Sequence, residues 1–171
     1  GTTIRAVART AGVDPALVSY YFGSKGDLFG AAVNLRVRAS QEIATAISGD
    51  LLSAGPRLVR LSLTAWDDDA DGATFRSLLQ WIATDTRSPE AIQNYATEQV
   101  AAPMAEALEQ SGLSVASPRE RATLAGSQLV GLAMIRYVLR LEPIASASID
   151  HLVEVVGPTI QRYLTGPLQS A

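Results

Sequence analysis

The sequence predicts an all-α fold, for three reasons. Apolar residues recur every three or four positions along most of the 171 residues, which is the spacing of one helix face. A polar N-cap residue followed by proline, typical of a helix start, occurs at Asp14-Pro15, Ser88-Pro89 and Ser117-Pro118. Alternation of apolar and polar residues, which is typical of a half-buried strand, is almost absent from the sequence.

Two short helices joined by a tight turn are predicted near the start of the chain. Thr3, or the threonine before it, is a suitable N-cap for the first helix, and Gly12 ends it. Asp14 and Pro15 then begin a second helix of about two turns, which reaches Phe22. This arrangement is a helix-turn-helix.

The second helix is expected to have an inner and an outer face. Val18 and Phe22, four residues apart, can pack against Val7, Ala8 and Val13. The residues turned outward are then Ala16, Leu17, Ser19 and Tyr20. An exposed leucine and tyrosine near the start of a short second helix suit insertion into the major groove of DNA.

A phosphate-binding helix start is predicted next. Ser24 and Asp27 have the spacing of a capping box, and the N-terminus of a helix binds anions. Lys25, the only lysine in the sequence, lies between them. Residues 1–40 carry a net charge of +3 and the remainder −6. This distribution favours phosphate contact by the N-terminal part, and chance scatter of a few charges is the alternative.

These residues resemble the DNA-binding domain of the TetR (tetracycline-repressor) family of bacterial transcription regulators. The family pattern is roughly T-x-x-x-I-A-x-x-A-G-V-S-x-x-x-L-Y-x-Y-F-x-x-K-x-x-L. The residues that match it in order and spacing are Thr3, Val7, Ala8, Ala11, Gly12, Val13, Val18, Tyr21, Phe22, Lys25 and Leu28. Val7, Asp14 and Val18 are conservative departures, whereas Ser19 replaces a tyrosine whose ring often contacts DNA.

The resemblance implies a helix-turn-helix DNA-binding domain with its connecting helix at residues 1–47, followed by a helical regulatory domain at 48–171 that binds ligand and dimerises. The implied base contacts are Arg5, Pro15, Ala16, Leu17, Ser19 and Tyr20, and the implied phosphate contacts are Thr3, Tyr21 and Lys25. Family members carry a helix before this point that the given chain lacks. Part of the small apolar core is therefore expected to be exposed.

The resemblance also implies the partners of the protein. They are a double-stranded DNA operator, a mostly apolar small-molecule effector and a second copy of the chain. The expected function is ligand-responsive regulation of transcription, most simply repression of a pseudo-palindromic operator. The alternative is a helical protein-interaction module that does not bind DNA.

The body of the chain is predicted to be a helical bundle. Hydrophobic spacing and cap residues place helices at residues 24–48, 55–66, 71–82, 88–108, 118–141 and 148–164. Pro103 is expected to kink or split the fourth of these helices, because proline cannot donate a helical hydrogen bond.

A dimer interface is predicted on the last two helices. Between Ala122 and Leu141 nearly every side of the helix is apolar or small, so every side must be covered. A second chain can cover one side, and a central position in a monomer core is the alternative. The expected interface residues are Ala122, Gly126, Leu129, Val130, Ala133, Leu152, Val156 and Ile160.

A ligand cavity is predicted from aromatic and soft residues of the body, although ordinary core packing explains them about as well. The candidate ligand-binding residues are Trp81, Tyr95, Gln99, Met134 and Tyr137. Arg136 is either an anchor for an anionic ligand or a surface arginine.

Catalysis and metal binding are not expected. The sequence has no cysteine and a single histidine, His151, which leaves few residues for a zinc site or a nucleophile with its base. The run of aspartates from Asp67 to Asp71 lacks the glycine and the distal glutamate of a calcium-binding loop, so a solvated turn is expected there. No cofactor is predicted. No signal peptide or long uncharged run is visible, and a cytoplasmic protein is expected.

Overall fold

The structure, a computed structural model, describes residues 3–23, 28, 31, 39–68, 71–84, 95–111 and 116–168. Every regular element within these ranges is a helix, which confirms the predicted fold class. The helices are α1 (Ile4–Ala11), α2 (Pro15–Phe22), α3 (Ala39–Ser48), α4 (Ala54–Asp67), α5 (Asp71–Thr84), α6 (Ala102–Gln110), α7 (Pro118–Ala133) and α8 (Ile149–Thr165). A π-helical segment, Tyr95–Ala101, precedes α6, and another, Met134–Leu139, extends α7.

Several predicted helix ends are confirmed by their cap geometry. The Thr3 hydroxyl accepts the Ala6 N–H at 3.1 Å, and Gly12 ends α1 in the left-handed conformation at φ 68°. The Ser148 hydroxyl accepts the His151 N–H at 3.2 Å at the start of α8. Local cap chemistry therefore decides where these helices begin and end.

Of three further predictions about helix starts and breaks, one is confirmed, one is confirmed only in position, and one lies outside the described residues. The split at Pro103 is confirmed, because π-helical turns end at Ala101 and Pro103 lies in the first turn of α6. Ser117 does precede α7, but it has φ 55° and its side chain makes no cap hydrogen bond. The predicted helix start at Ser88 lies outside the described residues.

The helices α4 and α8 cross with their backbones in close contact. A methyl group at Gly55 would lie 2.5 Å from the Gly157 carbonyl oxygen and from the Gln161 nitrogen. Only hydrogen fits there, so the two backbones touch. The side chain of Gln161 completes the contact by accepting the Gly55 N–H at 2.8 Å and donating to the Leu51 carbonyl at 2.9 Å.

Arg57 fastens the end of α3 to α4. Its Nε donates to the Ala46 carbonyl at 2.8 Å, and its Nη2 donates to the Asp50 carbonyl at 2.7 Å. A cation that binds the last carbonyls of a helix also interacts favourably with the helix dipole. The C-terminal end of α3 is therefore held against α4 by charge as well as by packing.

Arg121 makes the corresponding connection between α7 and α8. It is buried, and its guanidinium donates to the carbonyls of Ala116, Tyr163 and Gly166 at 2.7, 2.8 and 2.9 Å. Two of these carbonyls belong to the C-terminal end of α8, where a positive charge is favourable. Sequence pattern treated this residue only as part of a helix start.

The predicted dimer interface needs correction. Five of its residues are buried in the core of a single chain: Ala122, Leu129, Ala133, Leu152 and Ile160. Four of them are buried because α7 packs on α6 and α8, and α8 packs on α4. Ala133 is buried against Phe75 and Leu79 of α5. A side chain enclosed by its own chain cannot contact a second one, so these five are core residues. Of the others, Val130 is exposed, and Gly126 and Val156 are half-buried.

Residues Pro118–Leu139 form a helix that is long and apolar enough, by those two criteria alone, to cross a membrane. Its longest uncharged run is residues 122–135, which is shorter than the roughly 20 residues that a span requires. Only 22% of its most apolar window is buried within the chain. This helix therefore has apolar surface that the described residues do not cover.

Candidate nucleic-acid interface

The core of the helix-turn-helix is small. Ala8 of α1 and Val18 of α2 are buried where the two helices pack, as predicted. The turn is closed by the Val13 N–H, which donates to the Ala8 carbonyl at 3.0 Å. Val13 and Phe22, which the spacing also assigned to this core, are exposed, so their assignment to the core is wrong.

The outward face of α2 presents large side chains to solvent. Leu17 is 51% exposed, Tyr20 81% and Tyr21 73%. The two tyrosine rings meet edge to face, with centroids 5.2 Å apart and planes at 84°. Pro15, Ala16 and Ser19 are exposed on the same helix. Because none of these side chains is buried, all of them can contact another molecule.

The first turn of α2 is held by its own cap. The Asp14 carboxylate accepts the Ala16 N–H at 2.7 Å, and Pro15 is the first helical residue. At the start of α1, the Thr3 hydroxyl accepts a backbone hydrogen bond, but it keeps its own proton for donation to a phosphate oxygen. Both helices thus begin with a side-chain cap.

Positive charge lies beside this face on α1. Arg5 and Arg9 are exposed, and exposed arginines can bind either phosphates or guanine edges. Lys25, Ser24 and Asp27, on which the predicted phosphate site depends, lie outside the described residues.

The predicted ligand-binding residues fall into two groups. The side chains of Trp81, Tyr95 and Gln99 lie outside the described part of the chain. Met134 and Tyr137 pack on an apolar cluster that is formed by buried residues of α5 and α7 together with a half-buried tryptophan. The other members of this cluster are Trp66, Phe75, Leu79, Ala133 and Val138. Within it the Trp66 and Phe75 rings are stacked, with centroids 4.6 Å apart.

A polar network borders the cluster. The Tyr137 hydroxyl donates to Asp67 Oδ1 at 2.7 Å, and Arg136 Nη2 lies 3.1 Å from Asp67 Oδ2. Arg136 Nη1 also donates to the carbonyls of Ile144 and Ala147 at 3.0 and 2.8 Å. Asp67, predicted in a solvated turn, is exposed as the last residue of α4, and two neighbouring side chains also bind its two oxygens.

This network changes the chemistry of its members. Burial and the hydrogen bond to Asp67 raise the pKa of Tyr137 well above its usual range. Burial lowers the pKa of Arg136, but its hydrogen bonds and charge interactions with Asp67 and Tyr137 together raise it by more. Arg136 is neither a surface arginine nor an open anchor for an anion, since its donors already bind a carboxylate and two carbonyls.

A cleft of about 330 Å³ lies elsewhere in the body, between the C-terminal ends of α3 and α6. Its lining residues are Ala44, Thr45, Ser48, Gly49, Ala107, Gln110 and Ser111. None of the predicted ligand-binding residues lines this cleft. Among the described residues, no group of three or more His, Cys, Asp or Glu side chains is arranged to hold a metal ion.

Two family models match the chain, one over the helix-turn-helix and one over most of the remaining helices. The model described as "Bacterial regulatory proteins, tetR family" matches residues 1–32. The model described as "Tetracyclin repressor-like, C-terminal domain" matches residues 53–164, which is more than half of the chain. The chain belongs to the TetR family.

A solved structure supports this assignment. A TetR-family regulator from Streptomyces coelicolor A3 is 33% identical, with a TM-score of 0.67, over 95% of this chain and 83% of that chain. Among curated proteins, none matches the chain. The protein is therefore a DNA-binding regulator of the TetR family with an all-α fold, and members of this family are regulators rather than enzymes.

Sequence reasoning about this TetR-family regulator missed contacts that hold its helices together, among them those of Asp67 and Arg57. The Asp67 network was missed because its partners are about 70 positions away along the chain. The clamp by Arg57 was missed because an arginine on a helix surface carries no sequence signal for the carbonyls it will meet. In both cases the charged residue itself gives no information about its partners.

The division of α2 into core and outward face generates a prediction for two single substitutions. Val18→Ala should lower the free energy of unfolding by about 1–3 kcal/mol, because it removes buried methyl groups. Tyr20→Ala should change it by no more than about 0.5 kcal/mol, yet weaken binding to a duplex from upstream of its own gene by about 1–3 kcal/mol. Urea unfolding and fluorescence anisotropy measure the two effects. Full DNA affinity in Tyr20→Ala would contradict the assignment of this face.

Proposed function

We propose that this TetR-family regulator is a cytoplasmic repressor that binds a pseudo-palindromic operator as a homodimer and is released from it by a small molecule. The observation that carries DNA recognition is the outward face of α2, where Leu17, Tyr20 and Tyr21 are exposed beside the arginines of α1. Exposed apolar side chains that are grouped on one face favour a surface that binds a partner.

In this proposal α2 enters the major groove and α1 lies across the DNA backbone. Bases are contacted by Arg5, Pro15, Ala16, Leu17, Ser19 and Tyr20. Phosphates are contacted by Thr3, Tyr21 and Lys25. The rival function, a protein-interaction module, would use the same exposed aromatic rings, but it gives no reason for the match of this segment to a family of DNA-binding regulators.

The dimer part of the proposal rests on uncovered apolar side chains of the last two helices. Val130 of α7 and Val155 of α8 are exposed, as are Leu139 at the end of the π-helical extension of α7 and Leu141 just after it. The helix that carries Val130 is apolar on nearly all sides, and one chain buries only part of it. A second copy packed on α7 and α8 covers this surface, and the pairing places two copies of α2 on one DNA face.

The ligand part of the proposal places a mostly apolar effector among α5, the Tyr95–Ala101 segment and the Met134–Leu139 segment. The proposed contacts are Trp81, Tyr95, Gln99, Met134 and Tyr137. The Tyr95–Ala101 segment contacts α3, and the Met134–Leu139 segment contacts α5. A ligand that changes these contacts can shift α3, which precedes the body in sequence and follows the DNA-binding module.

Lys25 is proposed to contact phosphate, so Lys25→Ala should weaken binding to all duplexes about equally. A phosphate contact carries no sequence information, and its loss should reduce the slope of log affinity against log salt by about one. Titrations at four or more salt concentrations measure this slope. An unchanged affinity together with an unchanged slope would remove the assigned role.

Val155→Asp should convert the dimer to monomer or raise its dissociation constant by about a hundredfold or more, because an unpaired buried carboxylate costs several kcal/mol. Val155 is preferable to Val156, which packs on the core of its own chain. Thr64→Asp, which places the same charge on an exposed residue of α4, is the control and should leave the dimer intact. Sedimentation equilibrium tests both, and a wild-type monomer at micromolar concentration would contradict the proposal.

Release by ligand requires reciprocal coupling between the two sites. A compound identified by thermal-shift screening of apolar small molecules should bind less tightly when the protein is saturated with its upstream duplex, by the same factor by which it lowers DNA affinity. A coupling free energy of about 1–3 kcal/mol corresponds to several-fold to a hundredfold. Calorimetric titration with and without the duplex measures this factor. Equal ligand affinity in the two titrations would exclude release by ligand even if the compound binds tightly.

A further inference from the structure

The recognition helix lacks the side chains that make the common paired hydrogen bonds to bases. The sequence of α2, Pro15–Phe22, contains no arginine, lysine, asparagine, glutamine, aspartate or glutamate. Proteins usually read guanine with arginine or lysine, and adenine with asparagine or glutamine, through two hydrogen bonds each. The side chains of α2 therefore cannot read guanine or adenine through such a pair of hydrogen bonds.

The same helix offers apolar groups on its exposed side. Leu17 and Tyr20 are three residues apart, and Ala16 and Tyr20 are four apart, so the three lie on one face. That face points away from Val18, which is buried against α1. The major groove displays one apolar group, the C5-methyl of thymine, and small apolar side chains contact it.

We propose that α2 recognises DNA mainly through thymine methyl groups, with Ala16 and Leu17 as the specificity-determining residues. The part of each half-site beneath α2 is then dominated by A·T pairs. This inference rests on the proposed use of α2 in the major groove, and it adds which bases are preferred and by what chemistry.

Tyr20 supports this mode of recognition. Its ring is held edge to face against Tyr21, with centroids 5.2 Å apart, so less conformational freedom is lost when it contacts DNA. The ring adds apolar surface next to Leu17. The hydroxyl groups of Tyr20 and Ser19 each supply single hydrogen bonds, which discriminate among bases less than paired ones.

Arg5 is the complementary element of the interface. It is exposed on α1 and has the planar fork of donors that matches guanine O6 and N7. A guanine read by Arg5 is therefore expected outside the A·T segment that α2 reads. Loss of Arg5 and loss of Leu17 should consequently affect different positions of the half-site.

The test begins with selection of duplexes from a random library by the full-length protein. Each thymine of the selected half-site is then replaced by uracil, which lacks only the methyl group, and Kd is measured by fluorescence anisotropy at one salt concentration. Uracil should weaken binding about fourfold at each thymine whose methyl packs against Leu17 or Ala16. Leu17→Ala should lose this penalty at one or more positions, whereas Arg5→Ala should keep every penalty and lose preference at a guanine.

Each outcome of this experiment is decisive. Tight binding to a selected duplex with no uracil penalty at any position overturns the methyl-recognition proposal and leaves the DNA-binding proposal intact. A G·C-rich segment beneath α2, or a uracil penalty that is unchanged in Leu17→Ala, overturns the assigned residues. Failure to select any duplex overturns both proposals together.

Discussion

The backbone contact between Gly55 of α4 and Gly157 of α8 is the constraint on which the regulatory body depends. No side chain fits between these helices, because even a methyl group at Gly55 would lie 2.5 Å from backbone atoms of α8. The contact brings Gln161 within hydrogen-bonding distance of Gly55 and Leu51. The first turns of α4 are thereby fixed relative to the last helix.

The two ends of α4 connect this crossing to the rest of the body. Near its start, Arg57 donates to the Ala46 carbonyl in the last turn of α3. At its end, Asp67 receives hydrogen bonds from Arg136 and Tyr137 of the π-helical extension of α7. A packed helix moves largely as a unit. We therefore expect a change in the packing of the apolar cluster around Trp66 and Phe75 to shift α3 through α4. The helices along this route are joined by direct hydrogen bonds.

Local cap chemistry and hydrophobic spacing predicted the all-α fold and the helix-turn-helix, because Thr3, Gly12 and Asp14 act on their own neighbours. The same rules could not predict Arg121 or Asp67, whose partners are distant in sequence. Hydrophobic spacing also assigned core residues such as Leu129 and Ile160 to the dimer interface. A helix that is apolar on all sides does not reveal which side its own chain covers, and only packing against α4 and α6 decides it.

DNA is proposed to bind the outward face of α1 and α2, and hydrogen–deuterium exchange of the protein with and without its upstream duplex reports on that face. We expect the largest slowing of exchange on DNA binding in peptides covering residues 3–23. Exchange in α8, on the proposed dimer side, should change little. Unchanged exchange in residues 3–23, while anisotropy shows the protein saturated with duplex, would mean that DNA binds elsewhere.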